Sequence, residues 1–60
     1  MPIVQIELVE GRTLEQKRAL VAKVTDAIAE SVNCSKENVT IILREMSPQH
    51  IAKAGKLRCD

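Results

Sequence analysis

The first apolar run of the chain extends from Ile3 to Val9 and is interrupted by polar residues only at Gln5 and Glu7. β-branched residues dominate it and Gly11 follows as a breaker, which is the pattern of a β-strand. Successive side chains of a strand point to opposite faces. One predicted face therefore carries Pro2, Val4, Ile6 and Leu8, and the other carries Ile3, Gln5, Glu7 and Val9.

Apolar residues next recur at intervals of three and four, which is the spacing of one helix face. Thr13 and Gln16 have the spacing of a capping box, and Glu15 places a negative charge in the first turn. Asn33 suits a left-handed C-cap, so a helix is predicted from Leu14 to Val32. Its predicted stripe consists of Lys17 (through its stem), Leu20, Val21, Val24, Ala27, Ile28, Ser31 and Val32.

A second strand is predicted from Val39 to Met46. It is apolar on both faces, through Ile41, Ile42 and Leu43. This pattern is typical of a strand that is covered on both sides. A turn over residues 35–38, with Ser35 able to cap it, precedes the strand, and a turn at Ser47-Pro48 ends it. The pattern assigns no element to residues 50–60.

Strand, long helix and strand form a βαβ unit. Its strands must be parallel, and its crossover is right-handed in nearly all known cases. The helix stripe covers one face of the sheet, and the other face would remain wet in a single chain. A two-stranded sheet is also too small to be stable alone. The sequence therefore predicts one α+β domain, residues 1–60, that assembles with copies of itself.

Composition strengthens this expectation. A chain of sixty residues buries only about 60% of its unfolded surface, and this one has no Phe, Tyr or Trp, although 45% of it is hydrophobic. Cys34, Cys59 and the single His50 offer too few convergent ligands for zinc. The opening residues do not resemble a signal peptide, so a cytoplasmic location with reduced thiols is expected and a Cys34–Cys59 disulfide is not favoured.

Charge excludes further classes of partner. Nine basic and eight acidic residues give a net charge of +1, with no basic stripe and no aromatic residue to stack on a base. A nucleic-acid partner is therefore not supported. No apolar run approaches membrane-spanning length, so no membrane partner is expected.

Pro2 is the first candidate for chemistry. Methionine aminopeptidases remove Met1 when the next residue is small, which would expose the secondary amine of Pro2. An α-amino group ordinarily titrates near ~7.7–8.0, and burial or a neighbouring cation lowers that pKa. A neutral proline nitrogen could then act as a general base. The alternative is that Pro2 merely begins an edge strand, where its missing N–H costs nothing.

Arg12 and His50 are further candidates. Arg12 follows Gly11 at the junction of strand and helix, where its fork of donors could hold a carboxylate. The alternative is an exposed loop arginine. His50 could be a general base, but a lone histidine after a proline turn is more often structural. Lys53 and Lys56 could hold an anion or simply belong to a solvated tail.

The residues together resemble a known family. Met-Pro-Ile-Val-Gln-Ile, Leu8, Glu10-Gly11-Arg12-Thr13 and Glu15-Gln16-Lys17 are similar to the 4-oxalocrotonate tautomerase family, and the likeness continues through Glu45-Met46, His50 and Gly55. The resemblance implies a βαβ unit with a short C-terminal hairpin, assembled into a hexamer as a trimer of dimers. It also implies that no metal or organic cofactor is used.

The resemblance assigns roles to particular residues. Pro2 would be the general base that moves a proton between an enol oxygen and a carbon, and Arg12 would grip a substrate carboxylate. Leu8, Thr40 and Ile51 would contact the substrate. The implied substrates are small 2-hydroxy-dienoates or 2-oxo acids such as 2-hydroxymuconate, an intermediate in the breakdown of aromatic compounds.

The chain departs from the family pattern at two of these positions. Thr40 stands where well-studied members have a second arginine, and Ile51 replaces an aromatic residue. Arg44 lies on the same strand face as Thr40 but roughly 13 Å further along. With Arg12 as the only grip, little preference for a diacid over a monoacid is expected. A non-catalytic oligomer that binds a small acid or a partner is the alternative function.

Overall fold

The computed structural model describes residues 2–60, so Met1 and its expected removal lie outside the described residues. Strand β1 spans Ile3–Val9, helix α1 spans Leu14–Val32 and strand β2 spans Thr40–Met46. Short 3₁₀ turns occupy Lys36–Asn38 and Pro48–His50. Strands β3, Ala52–Lys53, and β4, Lys56–Leu57, form a C-terminal antiparallel hairpin.

The predicted βαβ unit is confirmed. β1 and β2 pair in parallel, in a register that runs from Ile3 opposite Thr40 to Val9 opposite Met46. β2 begins one residue later than expected because the Val39 N–H donates to the carbonyl of Lys36 and closes the preceding 3₁₀ turn. The hairpin implied by the resemblance is also present.

Local chemistry explains the bounds of α1. The Thr13 N–H donates to Gln16 Oε1 at 2.9 Å and the Gln16 N–H donates to Thr13 Oγ1 at 3.1 Å, which confirms the capping box. Asn33 takes the left-handed conformation at φ 57°. The expected Ser35 cap is wrong, because the Ser35 side chain makes no capping hydrogen bond and its carbonyl accepts from the Asn38 N–H instead.

α1 covers the sheet face that carries Val4, Ile6 and Leu8, all of which are half-buried. The stripe prediction is wrong at its end, where Ala27, Ser31 and Val32 are exposed. A helix of 19 residues is about 28 Å long, whereas a seven-residue strand covers about 23 Å, so the last turns extend past the sheet.

The opposite face of the sheet is open. Ile3 is 70% exposed and Ile42 is 44% exposed, so the two-sided cover expected for β2 is not supplied within the chain. Across residues 2–60 no side chain is fully buried. The accessible surface is 4882 Å², against about 3,900 Å² for a compact chain of this mass. The radius of gyration is 14.4 Å, against about 10 Å for a compact chain.

Within residues 2–60, the one long helix, α1, is not apolar enough to cross a bilayer. Both cysteines are free thiols, with Cys34 half-buried and Cys59 exposed.

Candidate active site

Pro2 and Thr40 lie together at one end of the parallel sheet. Pro2 is half-buried, and its carbonyl accepts a hydrogen bond of 3.0 Å from the Thr40 N–H. Thr40 is the first residue of β2, is exposed, and lies opposite Ile3. We call Pro2 and Thr40 the proline end. This hydrogen bond holds the Pro2 carbonyl beside the first residue of β2.

Arg12 lies at the other end of the sheet. Gly11 has a φ of 125°, a conformation that side chains rarely adopt, and this turn carries the chain from β1 into the helix cap. Arg12 lines a cavity of about 170 Å³ together with Leu8, Gln16, Lys17 and Leu20. A guanidinium beside an apolar wall can bind a carboxylate of a small molecule through two parallel hydrogen bonds.

A larger cavity of about 340 Å³ adjoins the Arg12 cavity through Leu8, which lines both. Its wall is mainly apolar, through Leu8, Val9, Met46 and Ile51, and it also carries Glu7 and His50. We call Leu8, Arg12 and Ile51 the arginine end. The sequence identified His50 as a candidate but missed Glu7, because a glutamate on an exposed strand face carries no signal before the neighbouring turn is placed.

An ion pair fastens α1 to β2 at the arginine end. Lys17 Nζ lies 2.7 Å from Glu45 Oε1, and Glu45 lies opposite Leu8 in the register. The second ion pair of the described residues joins Lys36 to Asp26 at 2.8 Å. Arg12 belongs to neither pair, so its charge is available to an anion.

Arg44 is committed to the open face of the sheet. It lies opposite Glu7, and its guanidinium donates to the Gln5 amide oxygen at 3.1 and 3.2 Å when that oxygen is turned toward it. Thr40, Ile42 and Arg44 share this face, as the strand period requires.

One chain does not bring Pro2 and Arg12 together. β1 alone separates them by about 20 Å at the usual rise per residue. The structure thus groups Leu8, Arg12 and Ile51 at one end and Pro2 with Thr40 at the other. A reaction that uses both the proline nitrogen and the arginine needs two chains.

Comparison with known proteins settles the family. The family model described as tautomerase enzyme matches residues 2–58, which include both ends of the sheet. The chain belongs to the tautomerase family. Tautomerases are isomerases, so this protein is an enzyme of that class. The chain is 47% identical over 60 residues to the 2-hydroxymuconate tautomerase of Bacillus subtilis, covering 100% of this chain and 97% of the relative.

Solved tautomerase structures share the fold. The crystal structure of YwhB, a homologue of 4-oxalocrotonate tautomerase, superposes with a TM-score of 0.95 at 46% identity and covers 98% of this chain and 97% of its own. A heterohexameric 4-oxalocrotonate tautomerase from Chloroflexus aurantiacus gives a TM-score of 0.96 at 28% identity and covers 100% and 97%. The tautomerase fold is therefore established over the whole chain.

Proposed function

We propose that this protein catalyses keto-enol proton transfer on small 2-hydroxy-dienoate or 2-oxo acids such as 2-hydroxymuconate, with the Pro2 nitrogen as general base. The family match over residues 2–58 carries the proposal. The relative named 2-hydroxymuconate tautomerase supports the substrate class. The half-buried position of Pro2, immediately before β1, suits a terminal amine that must be partly desolvated.

The proton balance of the reaction is simple. Neutral Pro2 takes the proton of the 2-hydroxyl group, and the oxygen becomes a carbonyl as its electron pair moves into the diene. The far carbon of the diene then takes a proton from the Pro2 ammonium, which returns to the neutral amine. Arg12 holds a carboxylate and stabilises the negative charge that develops along the conjugated system. The product from 2-hydroxymuconate is 2-oxo-3-hexenedioate.

The active site in this proposal is shared between chains. A two-fold axis between antiparallel sheets would place the proline end of one chain beside the arginine end of its partner, twice per dimer. Leu8 and Ile51 would then form an apolar wall around the partner's base and exclude water from it. Three observations support assembly, with a hexamer as the proposed state: the open sheet face, an accessible surface of 4882 Å² that exceeds that of a compact chain, and the heterohexameric relative.

Thr40 distinguishes the proline end chemically. Its hydroxyl can donate one hydrogen bond but cannot pair with a carboxylate bidentately. Arg12 is therefore the principal carboxylate-binding residue of the proposed site.

The test combines protein mass with turnover. Mass spectrometry should show a chain that lacks Met1, and an ultraviolet assay should show ketonisation of 2-hydroxymuconate. An uncleaved N-terminal extension turns the Pro2 nitrogen into an amide and should lower kcat/KM by about 10²–10⁴, the usual contribution of a general base. Turnover that survives the extension in a correctly assembled protein would exclude Pro2 as the base. Retention of Met1 without turnover would favour a non-catalytic binding protein.

A further inference from the structure

The C-terminal hairpin presents three cations on one face. Lys53 lies opposite Lys56, and the Arg58 N–H donates to the Ile51 carbonyl at 2.9 Å, which continues the same register. Because side chains alternate along each strand and paired residues share a face, Ile51, Lys53, Lys56 and Arg58 lie on one side. We call these four residues the basic hairpin face.

This face is unfavourable for the hairpin itself. Like charges directly opposite one another destabilise a strand pair, and two strands alone are marginal in water. The turn also holds Ala54 at a φ of 52°, beside Gly55 at 82°. The two ion pairs found within residues 2–60 join other side chains, so no carboxylate of the described chain neutralises Lys53, Lys56 or Arg58. A bound anion would relieve the repulsion.

The basic hairpin face adjoins the arginine end. Lys53 and Arg58 line a cavity of about 240 Å³ together with Ile51 and Ala52. Ile51 also lines the 340 Å³ cavity, and Leu8 joins that cavity to the one lined by Arg12. A path over the apolar residues Leu8 and Ile51 therefore has cations at both of its limits, with Glu7 and His50 in the wall of the cavity between them.

We propose that Lys53 and Arg58 form a second carboxylate subsite, which binds the distal carboxylate of a dicarboxylate whose first carboxylate is held by Arg12. The carbon skeleton lies across Leu8 and Ile51. The assignment of this dicarboxylate as substrate rests on the proposed function, whereas its binding does not. The sequence alone predicts little preference for a diacid, and the basic hairpin face changes that expectation to a moderate preference.

Binding without turnover tests the subsite. Muconate and sorbate share a six-carbon diene skeleton and differ by one carboxylate, so calorimetry with each isolates the second carboxylate. Solvent-exposed charge pairs are weak and hydrogen bonds to charged groups are stronger, so we expect muconate to bind about five- to tenfold more tightly than sorbate. The double variant Lys53→Gln/Arg58→Gln should remove that preference and leave the Kd of sorbate unchanged. Lys53→Arg in an otherwise unchanged chain should keep it.

Arg18→Gln/Lys23→Gln is the matched control, because Arg18 and Lys23 are exposed cations on α1 and their joint loss changes the net charge equally. Sedimentation must show the same assembly for every variant. Equal binding of muconate and sorbate by the unchanged protein, or an equal loss of the muconate preference in the two double variants, would overturn the subsite. Absence of turnover with intact muconate preference would instead reject the proposed function and leave the subsite standing.

Discussion

The two ends of the parallel sheet offer different chemistry to a ligand. The proline end carries one potential base, Pro2, beside a single hydroxyl, Thr40. The first register pair of the strands, Ile3 and Thr40, contains no charged side chain. The arginine end carries Arg12 beside cavities of about 170 and 340 Å³ with apolar walls. In the proposed mechanism, proton transfer and carboxylate recognition therefore belong to opposite ends of β1, and the strand length keeps them apart within one chain.

This division explains why so small a chain can be an enzyme. A single copy cannot enclose a substrate, because none of its described residues is fully buried. Antiparallel assembly would supply the missing cover and the missing half of the site in one step. Stability and activity should therefore depend on the same contacts.

The largest expected effect comes from separating the two ends onto different chains. Chains with an uncleaved N-terminal extension lack the base, and Arg12→Ala chains lack the carboxylate-binding guanidinium. Each alone should therefore lose about one to four decades in kcat/KM. Co-assembly of equal amounts should restore about a quarter of the native activity, because random mixing in a symmetric oligomer leaves that share of two-chain sites intact. Mixtures of assembled variants that remain as inactive as their components would show that base and arginine act within one chain.

A substitution at the proline end should then sharpen substrate choice. Thr40→Arg adds a cation that can pair with a carboxylate, a contact worth about 1.5–3 kcal/mol or roughly one to two decades in rate. We expect it to improve turnover of 2-hydroxymuconate relative to a dienoate with one carboxylate. Arg12→Ala should damage both substrates. A Thr40→Arg variant that improves both equally would show that the new charge acts by general attraction.

Much of the fold follows from sequence because its signals are local. The capping box of Thr13 and Gln16 and the left-handed Asn33 fix α1 at its predicted bounds, and the β-branched run of β1 has a clear breaker in Gly11. The hairpin could not be predicted from pattern, because strands of two residues are too short to show a period. The Ser35 prediction failed because serine as a residue type favours a capping hydrogen bond, which the 3₁₀ turn does not contain.

The site was predictable only as a set of residues. The resemblance identified Pro2, Arg12, Leu8, Thr40 and Ile51, but sequence spacing does not reveal which of them face one another across a chain boundary. The register of β1 and β2 adds which residues lie together within one chain, by placing Thr40 beside Pro2 and Glu45 opposite Leu8. The basic hairpin face likewise depends on the pairing of Lys53 with Lys56.

A moderate effect is expected from pH. If the neutral Pro2 nitrogen is the base, kcat/KM should rise with pH through a midpoint below the ordinary range of ~7.7–8.0 for a terminal amine. The partner's arginine end should contribute to that depression, because a nearby cation and exclusion of water both disfavour the ammonium form. Arg12→Ala should move the midpoint upward, whereas Lys23→Gln should not. If both variants gave the same pH profile, burial alone would account for the lowered pKa of the Pro2 nitrogen.

The smallest expected effect is on the free energy of unfolding, and it comes from the ion pairs of the two ends. At the arginine end the Lys17 and Glu45 side chains are 24% and 35% exposed, whereas Lys36 and Asp26, which precede β2 near the proline end, are 64% and 52% exposed. Water screens the second pair more strongly, so Glu45→Gln should lower the free energy of unfolding by about 0.5–1 kcal/mol and Asp26→Asn by less.

The exposed pair also has a defined pH signature. A hydrogen bond from Lys36 to Asp26, together with the Asp26 charge, raises the pKa of Lys36 above its ordinary value of 10.5. A raised pKa in the folded state stabilises the protein fully below the unfolded value and loses that contribution as the pH rises through the folded value. Asp26→Asn should therefore lower the Tm at neutral pH, and this effect should disappear in strongly alkaline solution. Melting curves at one fixed protein concentration would measure both variants, since assembly makes Tm depend on concentration. A larger loss in Asp26→Asn than in Glu45→Gln would mean that the pair joining α1 to the 3₁₀ turn contributes more to stability than the pair joining α1 to β2.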